Sequence, residues 1–255
     1  SGERLVQYTI YGDAVTGVSS SDFAKGRILQ VLDTAGRVTL SYDFRGRTVE
    51  QSRQVFTDIT ADPDWSGVES PTTLTGLESW VSSNGGLETE TFTVEAAHDA
   101  LDRVTSQTTP DSSVVTPGYD EGGRLTSVEV EIRGSATATS FVEEITYNAR
   151  GQRESITYGN HTSTVYTYED RFWLTRLKTD RDASGTGGAA TLQDLGYTHD
   201  AVGNILGITD DAQETLFFDN TQVSPDRTFT YDSLYRLTQA TGREKTNQTQ
   251  TTPSY

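Results

Sequence analysis

The chain has 255 residues, of which 37 are acidic and 20 are basic, and its net charge is −17. A surface with this charge repels nucleic acid phosphates and anionic lipid, so we predict neither a nucleic acid partner nor membrane binding. The absence of cysteine excludes disulfide bonds, thiol catalysis and cysteine-ligated metals. There is also no methionine, and we expect the sequence to be a segment of a longer protein.

A glycine-arginine pair recurs in the N-terminal part of the chain. It stands at positions 26–27, 36–37 and 46–47, with aliphatic or aromatic residues between. This spacing fits a strand, a tight turn and a returning strand. It therefore predicts a meander of short antiparallel strands.

The same signature returns further along the chain at wider spacing. It reads HDALDRVT at 98–105, YDEGGRLT at 119–126, YNARGQRE at 147–154, HDAVGNIL at 199–206 and YDSLYRLT at 231–238. The shared form is an aromatic residue, Asp or Asn, two variable residues, then usually Gly and Arg. The acidic residue can cap the turn and the glycine can take positive φ, which predicts a type I turn closed by a G1 bulge.

In such a hairpin the first turn residue faces the arginine four positions later. The hairpin at 33–37 is predicted to pair Asp33 with Arg37 and Leu32 with Val38. Each cross-strand pair contributes ~0.2–1 kcal/mol, so we expect stability to come from many stacked hairpins. The predicted structural turn residues are Asp33, Gly36, Arg37, Asp43, Gly46, Arg47, Asp99, Arg103, Asp120, Gly123, Arg124, Asn148, Gly151, Asp200, Gly203, Asp232 and Arg236.

Two of the turns lack glycine at the fourth position. Asp102 and Tyr235 stand there instead. Asp tolerates the left-handed conformation, but a bulky residue such as Tyr costs ~1–2 kcal/mol in it. We therefore expect another shape for the turn at 232–236.

One stretch follows a helical period. Leu74, Leu77, Trp80 and Val81 share one helical face, behind Ser70 or Thr72 as possible caps. The sequence therefore predicts one short helix near 72–82, within an irregular insert at 61–90.

The remaining boundaries follow from composition. Residues 181–190, RDASGTGGAA, are predicted to form a flexible loop. Residues 242–255 are polar, lack periodicity and are expected to form a tail. We interpret residues 1–241 as a single domain of hairpins.

Two short stretches resemble calcium-binding loops. Asp62 with Asp64, and Asp180 with Asp182, each lie in a D-x-D-x-S-G pattern. A calcium loop requires a bidentate Glu at its twelfth position, and both stretches have threonine there. Solvated Asx turns are the favoured interpretation, with calcium as the alternative. We predict no catalytic residues and no cofactor.

The hairpin signature resembles the YD repeats of the Rhs family, which are also found in bacterial Tc (ABC) toxin complexes. Longer blocks share the likeness, among them GRILQVLDTAGRVTLSYDFRGRTVEQSRQV and LGYTHDAVGNILGITDDAQETLFFDN. These blocks resemble the shell-forming region of the SpvB-like B component, in one order over residues 3–243.

The resemblance implies a continuous curved β-sheet, a segment of a hollow shell around a toxic effector. No block resembles the family's β-propeller or its self-cleaving C-terminal region, so the chain is expected to supply wall alone. The implied partners are the flanking regions of the parent chain, a companion shell-forming component and the enclosed effector. A secreted, extracellular toxin component is implied. Exposed sheet edges also predict edge-to-edge self-association.

Two other functions stay open at this point. A surface adhesion or carbohydrate-binding module would use the tyrosines and the tryptophans Trp65, Trp80 and Trp173 as stacking platforms. An enzyme would need convergent acid-base groups, but adjacent strand residues such as Asp210 and Asp211 point to opposite faces. We favour a non-catalytic structural role.

Overall fold

The computed structural model describes residues 7–19, 23–57, 65, 68, 73–84, 86–214, 216–218 and 221–242. Within these residues the chain forms eighteen β-strands and one α-helix, α1 (Leu74–Asn84). The first nine strands are β1 (Tyr8–Tyr11), β2 (Ile28–Asp33), β3 (Gly36–Tyr42), β4 (Thr48–Val55), β5 (Phe92–His98), β6 (Val104–Thr108), β7 (Val114–Tyr119), β8 (Leu125–Glu131) and β9 (Ala138–Tyr147). The others are β10 (Arg153–Tyr158), β11 (Thr162–Tyr168), β12 (Leu174–Arg181), β13 (Ala190–His199), β14 (Ile205–Asp210), β15 (Leu216–Phe218), β16 (Thr221–Val223), β17 (Arg227–Tyr231) and β18 (Leu237–Thr241).

Sixteen of these strands form an antiparallel sheet whose order follows the chain, from β1 to β14 and then β17 and β18. Sequential strands become neighbours because a tight turn can join only antiparallel strands. The remaining strands, β15 and β16, form a separate two-stranded hairpin. The predicted all-β fold of consecutive antiparallel hairpins is confirmed.

The chain divides into two compact units. The first unit comprises Ser1–Pro117 with Val130–Thr139, and the second comprises Gly118–Glu129 with Ser140–Tyr255. The single domain at 1–241 stays a prediction, and residues 243–255 of the predicted tail lie outside the described residues.

The predicted helix near 72–82 is confirmed as α1, and Thr73 directly precedes its first residue. The Thr73 Oγ1 accepts a hydrogen bond from the backbone N–H of Gly76 at 3.0 Å, as an N-cap does. The predicted caps, Ser70 and Thr72, lie outside the described residues. None of the described helices is long and apolar enough to span a membrane.

A contiguous apolar core lies in the first unit, where α1 packs against the sheet. Leu77 and Val81 of the predicted helical face are fully buried. Burying side chains of this size contributes ~1.5–3 kcal/mol each. The buried members of the core are Ile10, Val15, Ala24, Leu29, Leu32, Phe56, Trp65, Val68, Leu77 and Val81.

Polar contacts fix the helix on the sheet. Glu78 of α1 accepts hydrogen bonds from the side chains of Gln30 on β2 and Arg37 on β3. Arg37 also donates to the side chain of Gln54 on β4. Because Gln30 is buried, its amide needs such a partner, and these bonds define where α1 sits across the three strands.

The second unit has a different arrangement of side chains. The register aligns Ile145 with Ile156, and Leu177 with both Tyr166 and Leu195, along one face of the sheet. The buried apolar side chains in the described part of this unit are the cross-strand pair Ile145 and Ile156, and Leu195.

The opposite face of the second unit is polar. Thr146 and Ser155 share a hydrogen bond of 2.7 Å between their hydroxyl oxygens. Arg176 donates two hydrogen bonds to the buried carboxylate of Asp194, at 2.7 and 2.6 Å. The pairing with Arg176 outweighs burial and lowers the pKa of Asp194. The face is thus held by cross-strand polar pairs.

Candidate functional site

Seven five-residue turns with one shared geometry join the strands. In each, the N–H of the first residue donates to the carbonyl of the fifth at 2.9–3.0 Å, and the N–H of the fourth donates to the carbonyl of the first. The aromatic residue before the turn pairs with the residue after it, as His98 does with Val104 and Tyr231 with Leu237. We call these the YD turns: 43–47, 99–103, 120–124, 148–152, 169–173, 200–204 and 232–236.

The acidic first residue serves as a cap inside its own turn. The Asp43 Oδ1 accepts the backbone N–H groups of Arg45 and Arg47 at 2.9 and 3.0 Å. Its Oδ2 accepts the Arg47 Nε at 2.6 Å. The same ion pair joins Asp99 to Arg103, and the remaining pairs are Asp120 with Arg124 and Asp232 with Arg236.

These contacts hold the turn carboxylates ionised. Desolvation opposes ionisation of Asp43, but the hydrogen bonds from the Arg47 side chain and from two backbone N–H groups outweigh it and lower its pKa from 3.8 to about 2. The pKa values of Asp99, Asp120, Asp200 and Asp232 are lowered as well, through bonds from their own turns.

Three of the seven YD turns keep the geometry without an ion pair, because their fifth residues are Gln152, Trp173 and Asn204. Two of the three use amide hydrogen bonds instead. Asn148 donates from its side-chain Nδ2 to the Gln152 Oε1 at 3.0 Å, and Asn204 donates from Nδ2 to the Asp200 Oδ2 at 2.7 Å. The Oδ1 atoms of Asn148 and Asp200 accept the same two backbone N–H groups as in the charged turns. A side-chain acceptor oxygen at the first position is therefore common to these two turns and the four charged ones, and the arginine is an addition.

The fourth position has positive φ in every YD turn. Glycine supplies it at Gly46, Gly123, Gly151 and Gly203, with φ between 79° and 99°. The expectation of another shape for the turn at 232–236 was wrong, because Tyr235 adopts φ 61° and both turn hydrogen bonds form. The surrounding bonds outweigh the cost of a left-handed tyrosine.

The hairpin at Asp33 differs from the prediction. Asp33 pairs with Gly36 and Leu32 with Arg37, so the predicted Asp33–Arg37 and Leu32–Val38 pairs are wrong. Asp33 instead accepts two hydrogen bonds from Arg53 on β4, at 2.8 and 2.7 Å. The reason is a two-residue loop, which turns Arg37 to the face that Glu78 contacts.

A further turn lacks the sequence signature. The backbone of 109–113 makes the same two hydrogen bonds as a YD turn, with Ser112 at φ 64°. Asp111 at its third position accepts hydrogen bonds from the N–H and the hydroxyl of Ser113. The run TPDSS is rich in turn-forming residues, and this composition was the signal that could have found it.

The tyrosine before a YD turn contacts the preceding hairpin. Its hydroxyl donates to the carbonyl of the residue just after an earlier turn, at 2.7–2.9 Å. Sequence reasoning assigned these rings to packing and missed the hydroxyl bond. We call these contacts tyrosine links: Tyr42 to Ile28, Tyr147 to Leu125, Tyr168 to Arg153, and Tyr231 to Ile205.

Within each unit, side chains also join successive turns. In the first unit the Arg47 Nη1 donates to the Asp99 carbonyl at 2.6 Å and to the Asp102 Oδ1 at 2.8 Å. In the second unit the Gln152 Nε2 donates to the Phe172 carbonyl at 2.9 Å, and Trp173 lies where a Cβ on Gly203 would come within 3.0 Å of its ring. The turns of a unit thus form a connected row along the sheet.

The described calcium candidates are engaged in local contacts. Asp180 accepts from Lys178 and from the Thr191 hydroxyl, each at 2.8 Å. The Asp182 Oδ1 accepts the backbone N–H of Ser184 at 2.6 Å, as in an Asx turn. Asp62 and Asp64 lie outside the described residues. Among the residues that the structure describes, no group of three or more His, Cys, Asp or Glu could hold a metal ion.

The loop at 181–190 has its own hydrogen bonds. Gly188 donates its N–H to the Gly185 carbonyl at 2.9 Å, and the Arg181 Nε donates to the Gly188 carbonyl at 2.7 Å. Asp182 donates its N–H to the His161 carbonyl of the neighbouring hairpin at 3.0 Å. These bonds attach the loop to the β10–β11 turn.

Comparison with known proteins finds the same repeat. A family model described as RHS Repeat matches residues 98–135, which contain two YD turns. Two curated relatives are toxin subunits YenC1 and YenC2 of Yersinia entomophaga, each 32% identical, over 96% and 94% of this chain. The chain spans 24% of the length of each of these relatives.

Solved structures give the same result for the fold. The crystal structure of TcdB2-TccC3-TEV matches 95% of this chain and 11% of that chain, with 30% identity and a TM-score of 0.73. The Photorhabdus luminescens Tc holotoxin pore matches with the same identity and TM-score, over 95% of this chain and 10% of that chain. Residues 98–135 of the chain therefore match the RHS repeat, and the chain is homologous to a part of Tc toxin subunits.

Proposed function

We propose that this chain is a non-catalytic segment of the β-sheet wall of a shell that encloses the toxic effector of a secreted Tc/Rhs-type toxin. The observation that carries the proposal is the match to Tc toxin structures over 95% of the chain at 30% identity. The architecture supports it, because strands paired in chain order with connected turns make a continuous surface of backbone hydrogen bonds.

The state of the acidic groups supports a non-catalytic role. Every carboxyl pKa that is displaced in the described residues is lowered, because hydrogen bonds and arginines stabilise the ionised form. A general acid at neutral pH needs a raised carboxyl pKa. These aspartates are therefore suited to structural pairing in turns and across strands.

The aromatic side chains support a wall over a carbohydrate-binding module. Trp65 is buried, and its indole N–H donates to the Asp33 carbonyl at 3.1 Å. Trp173 has the Arg171 guanidinium 5.2 Å from its ring centroid and His199 packed at 5.6 Å. Trp65 is thus not accessible to a sugar, and the two contacts engage the Trp173 ring within the sheet.

The implied partners belong to this proposal. They are the flanking regions of the parent chain, a companion shell-forming component and the enclosed effector, all outside the cell. Edge-to-edge pairing of isolated chains through the outer strands β1 and β18 is also proposed. Light scattering across a wide concentration range measures it, and a strict monomer would contradict it.

The wall role is tested in the complete parent subunit by protease protection of the enclosed effector. We expect the effector to be protected in the native subunit and cleaved faster when Tyr147→Ala and Tyr168→Ala break two tyrosine links. The control is the pair Glu143→Ala and Glu154→Ala, at exposed positions of β9 and β10. If the effector is cleaved as fast in the native subunit as in the Tyr147→Ala, Tyr168→Ala variant, the proposal is refuted.

A further inference from the structure

In two of the tyrosine links an arginine lies against the tyrosine ring. The Arg124 guanidinium is 4.9 Å from the centroid of the Tyr147 ring. The Arg27 guanidinium is 5.7 Å from the centroid of the Tyr42 ring. In each case the arginine directly precedes the residue whose carbonyl accepts the tyrosine hydroxyl. This position therefore supplies a cation–π contact to the linked ring.

The link of Tyr168 has glutamine at this position. The Tyr168 hydroxyl donates to the Arg153 carbonyl at 2.8 Å, and the residue before Arg153 is Gln152. The Gln152 amide is uncharged, and its Nε2 donates to the Phe172 carbonyl. In the described part of the chain no cation lies over the Tyr168 ring. This ring thus differs from those of Tyr42 and Tyr147.

A cleft of about 420 Å³ opens beside Tyr168, between the YD turns 148–152 and 169–173. Both turns belong to the second unit. The volume is within the range of small-ligand pockets and is large enough for one long side chain. The residues that line the cleft include Asn148, Tyr166, Tyr168, Glu169, Asp170 and Phe172.

The charge along this cleft is negative. Glu169 and Asp170 are both exposed, and neither lysine nor arginine is among the described residues that line the cleft. Glu169 stands where the other YD turns have a capping Asp or Asn. Arg153 lies within electrostatic reach of Tyr168 without lining the cleft. Because the face of an aromatic ring also carries partial negative charge, the rings and the carboxylates together favour a cation.

Neighbouring rings indicate which cation fits. The Arg150 guanidinium lies 4.3 Å from the centroid of the Phe172 ring. The Arg171 guanidinium lies 5.2 Å from the centroid of the Trp173 ring. Each cation–π contact found among the described residues is thus formed by arginine. A planar guanidinium can stack on a ring and donate to carboxylates at the same time.

We propose that the cleft beside Tyr168 is a binding site for an arginine side chain that another polypeptide supplies. The guanidinium lies on the Tyr168 ring, as that of Arg124 lies on Tyr147, and it donates to the carboxylates of Glu169 and Asp170. The net charge of −17 favours the approach of a basic partner. This binding role goes beyond the wall role and does not depend on it.

The test is an NMR titration of the chain with the peptide acetyl-Gly-Arg-Gly-amide. We expect saturable shifts of the backbone amides of residues 168–172 at millimolar peptide. The peptide with citrulline in place of arginine has the same shape without the charge and should not bind, and the lysine peptide should bind more weakly. Tyr168→Leu should weaken binding of the arginine peptide about fivefold, whereas Tyr168→Phe keeps the ring face and should bind normally.

A second variant fills the cleft from within. Gln152→Arg places a guanidinium where Arg124 stands in the turn 120–124, so we expect it to cover the Tyr168 ring and abolish peptide binding. The matched control is Asn204→Arg, at the same position of the turn 200–204, which should leave binding unchanged. Unchanged binding in the Gln152→Arg variant would contradict the proposal.

Three results of the titration would overturn the proposal. They are the absence of saturable shifts at millimolar peptide, equal binding of the citrulline peptide, and equal binding of the lysine peptide. The effector protection assay uses no peptide, so failure of this site and failure of the wall role are distinguishable.

Discussion

The two units share one scheme of turns but differ in what covers their sheets. In the first unit ten buried apolar residues form one cluster, and two of them, Leu77 and Val81, belong to α1. In the described part of the second unit the buried apolar side chains are only the pair Ile145 and Ile156, and Leu195, while turn caps, tyrosine links and polar cross-strand pairs recur on consecutive hairpins. The difference shows that the repeat carries its own lateral contacts, and that a helix adds a core to one part of the sheet.

The largest expected effect tests the core that distinguishes the first unit. Leu77→Ala removes a fully buried side chain at the centre of the first unit, so we expect a loss of ~2–5 kcal/mol in the free energy of unfolding. Leu101→Ala, at a turn residue that is 70% exposed, should change it little. Urea denaturation measures both. Equal losses would mean that α1 does not form the core of its unit.

Glycine substitutions sharpen the comparison at the backbone. Gly36 has φ 141°, and a Cβ there would lie 2.0 Å from the Gln54 carbonyl oxygen, so Gly36→Ala is expected to cost about 3 kcal/mol. Gly151 in the second unit has φ 79° and nothing within 4 Å, so Gly151→Ala should cost only the conformational strain of about 1 kcal/mol. Thermal melting distinguishes them, and a reversed order would contradict the reading of Gly36.

The tyrosine links should matter more where no core supports the sheet. Tyr147→Phe leaves the Leu125 carbonyl without its donor, and we expect a loss of about 1 kcal/mol together with faster amide exchange in β9. Tyr42→Phe removes the same bond beside the apolar core, so faster exchange should stay confined to β3 and β2. Hydrogen exchange measures both. Unchanged amide exchange in β9 of the Tyr147→Phe variant would mean that the tyrosine links do not stabilise the second unit.

The smallest effect concerns acid. The pKa of Asp43 is about 2 in the folded chain against an ordinary 3.8, so its stabilising contribution is present above pH 3.8 and is lost as the pH falls towards 2. The turn at 148–152 has Asn and Gln in the corresponding places and should not respond. An NMR titration of the Arg45 and Arg150 amides compares them, with Asp43→Asn as control. If the Arg45 and Arg150 amides titrate in parallel, protonation of Asp43 is not the cause of the acid response.

Much of the turn geometry could be predicted because it is local. The acceptor at the first position, the two free residues and the positive φ at the fourth all lie within five residues, so sequence alone indicates them. The hairpin at Asp33 departed from the scheme because its loop has two residues, which shifts the register, and Asp33 then pairs with Arg53, twenty residues away.

The tyrosine links could not be predicted in the same way. Tyr231 donates to a carbonyl 26 residues earlier, and backbone carbonyls leave no mark in a sequence. The helical face of α1 was evident from its period, but its contact with Gln30 and Arg37 depends on where the chain returns. At Tyr235 the residue's own conformational preference was misleading, because the turn hydrogen bonds around it outweigh the cost of its positive φ.

Because each tyrosine donates to the hairpin before it, the links impose a rule on how such sequences can change in length. Adding or deleting a complete hairpin keeps every hydroxyl matched with a carbonyl. An extra residue within a strand instead reverses the faces of all the side chains that follow it. Natural variants of this region should therefore gain and lose whole hairpins, with single-residue insertions restricted to the loops.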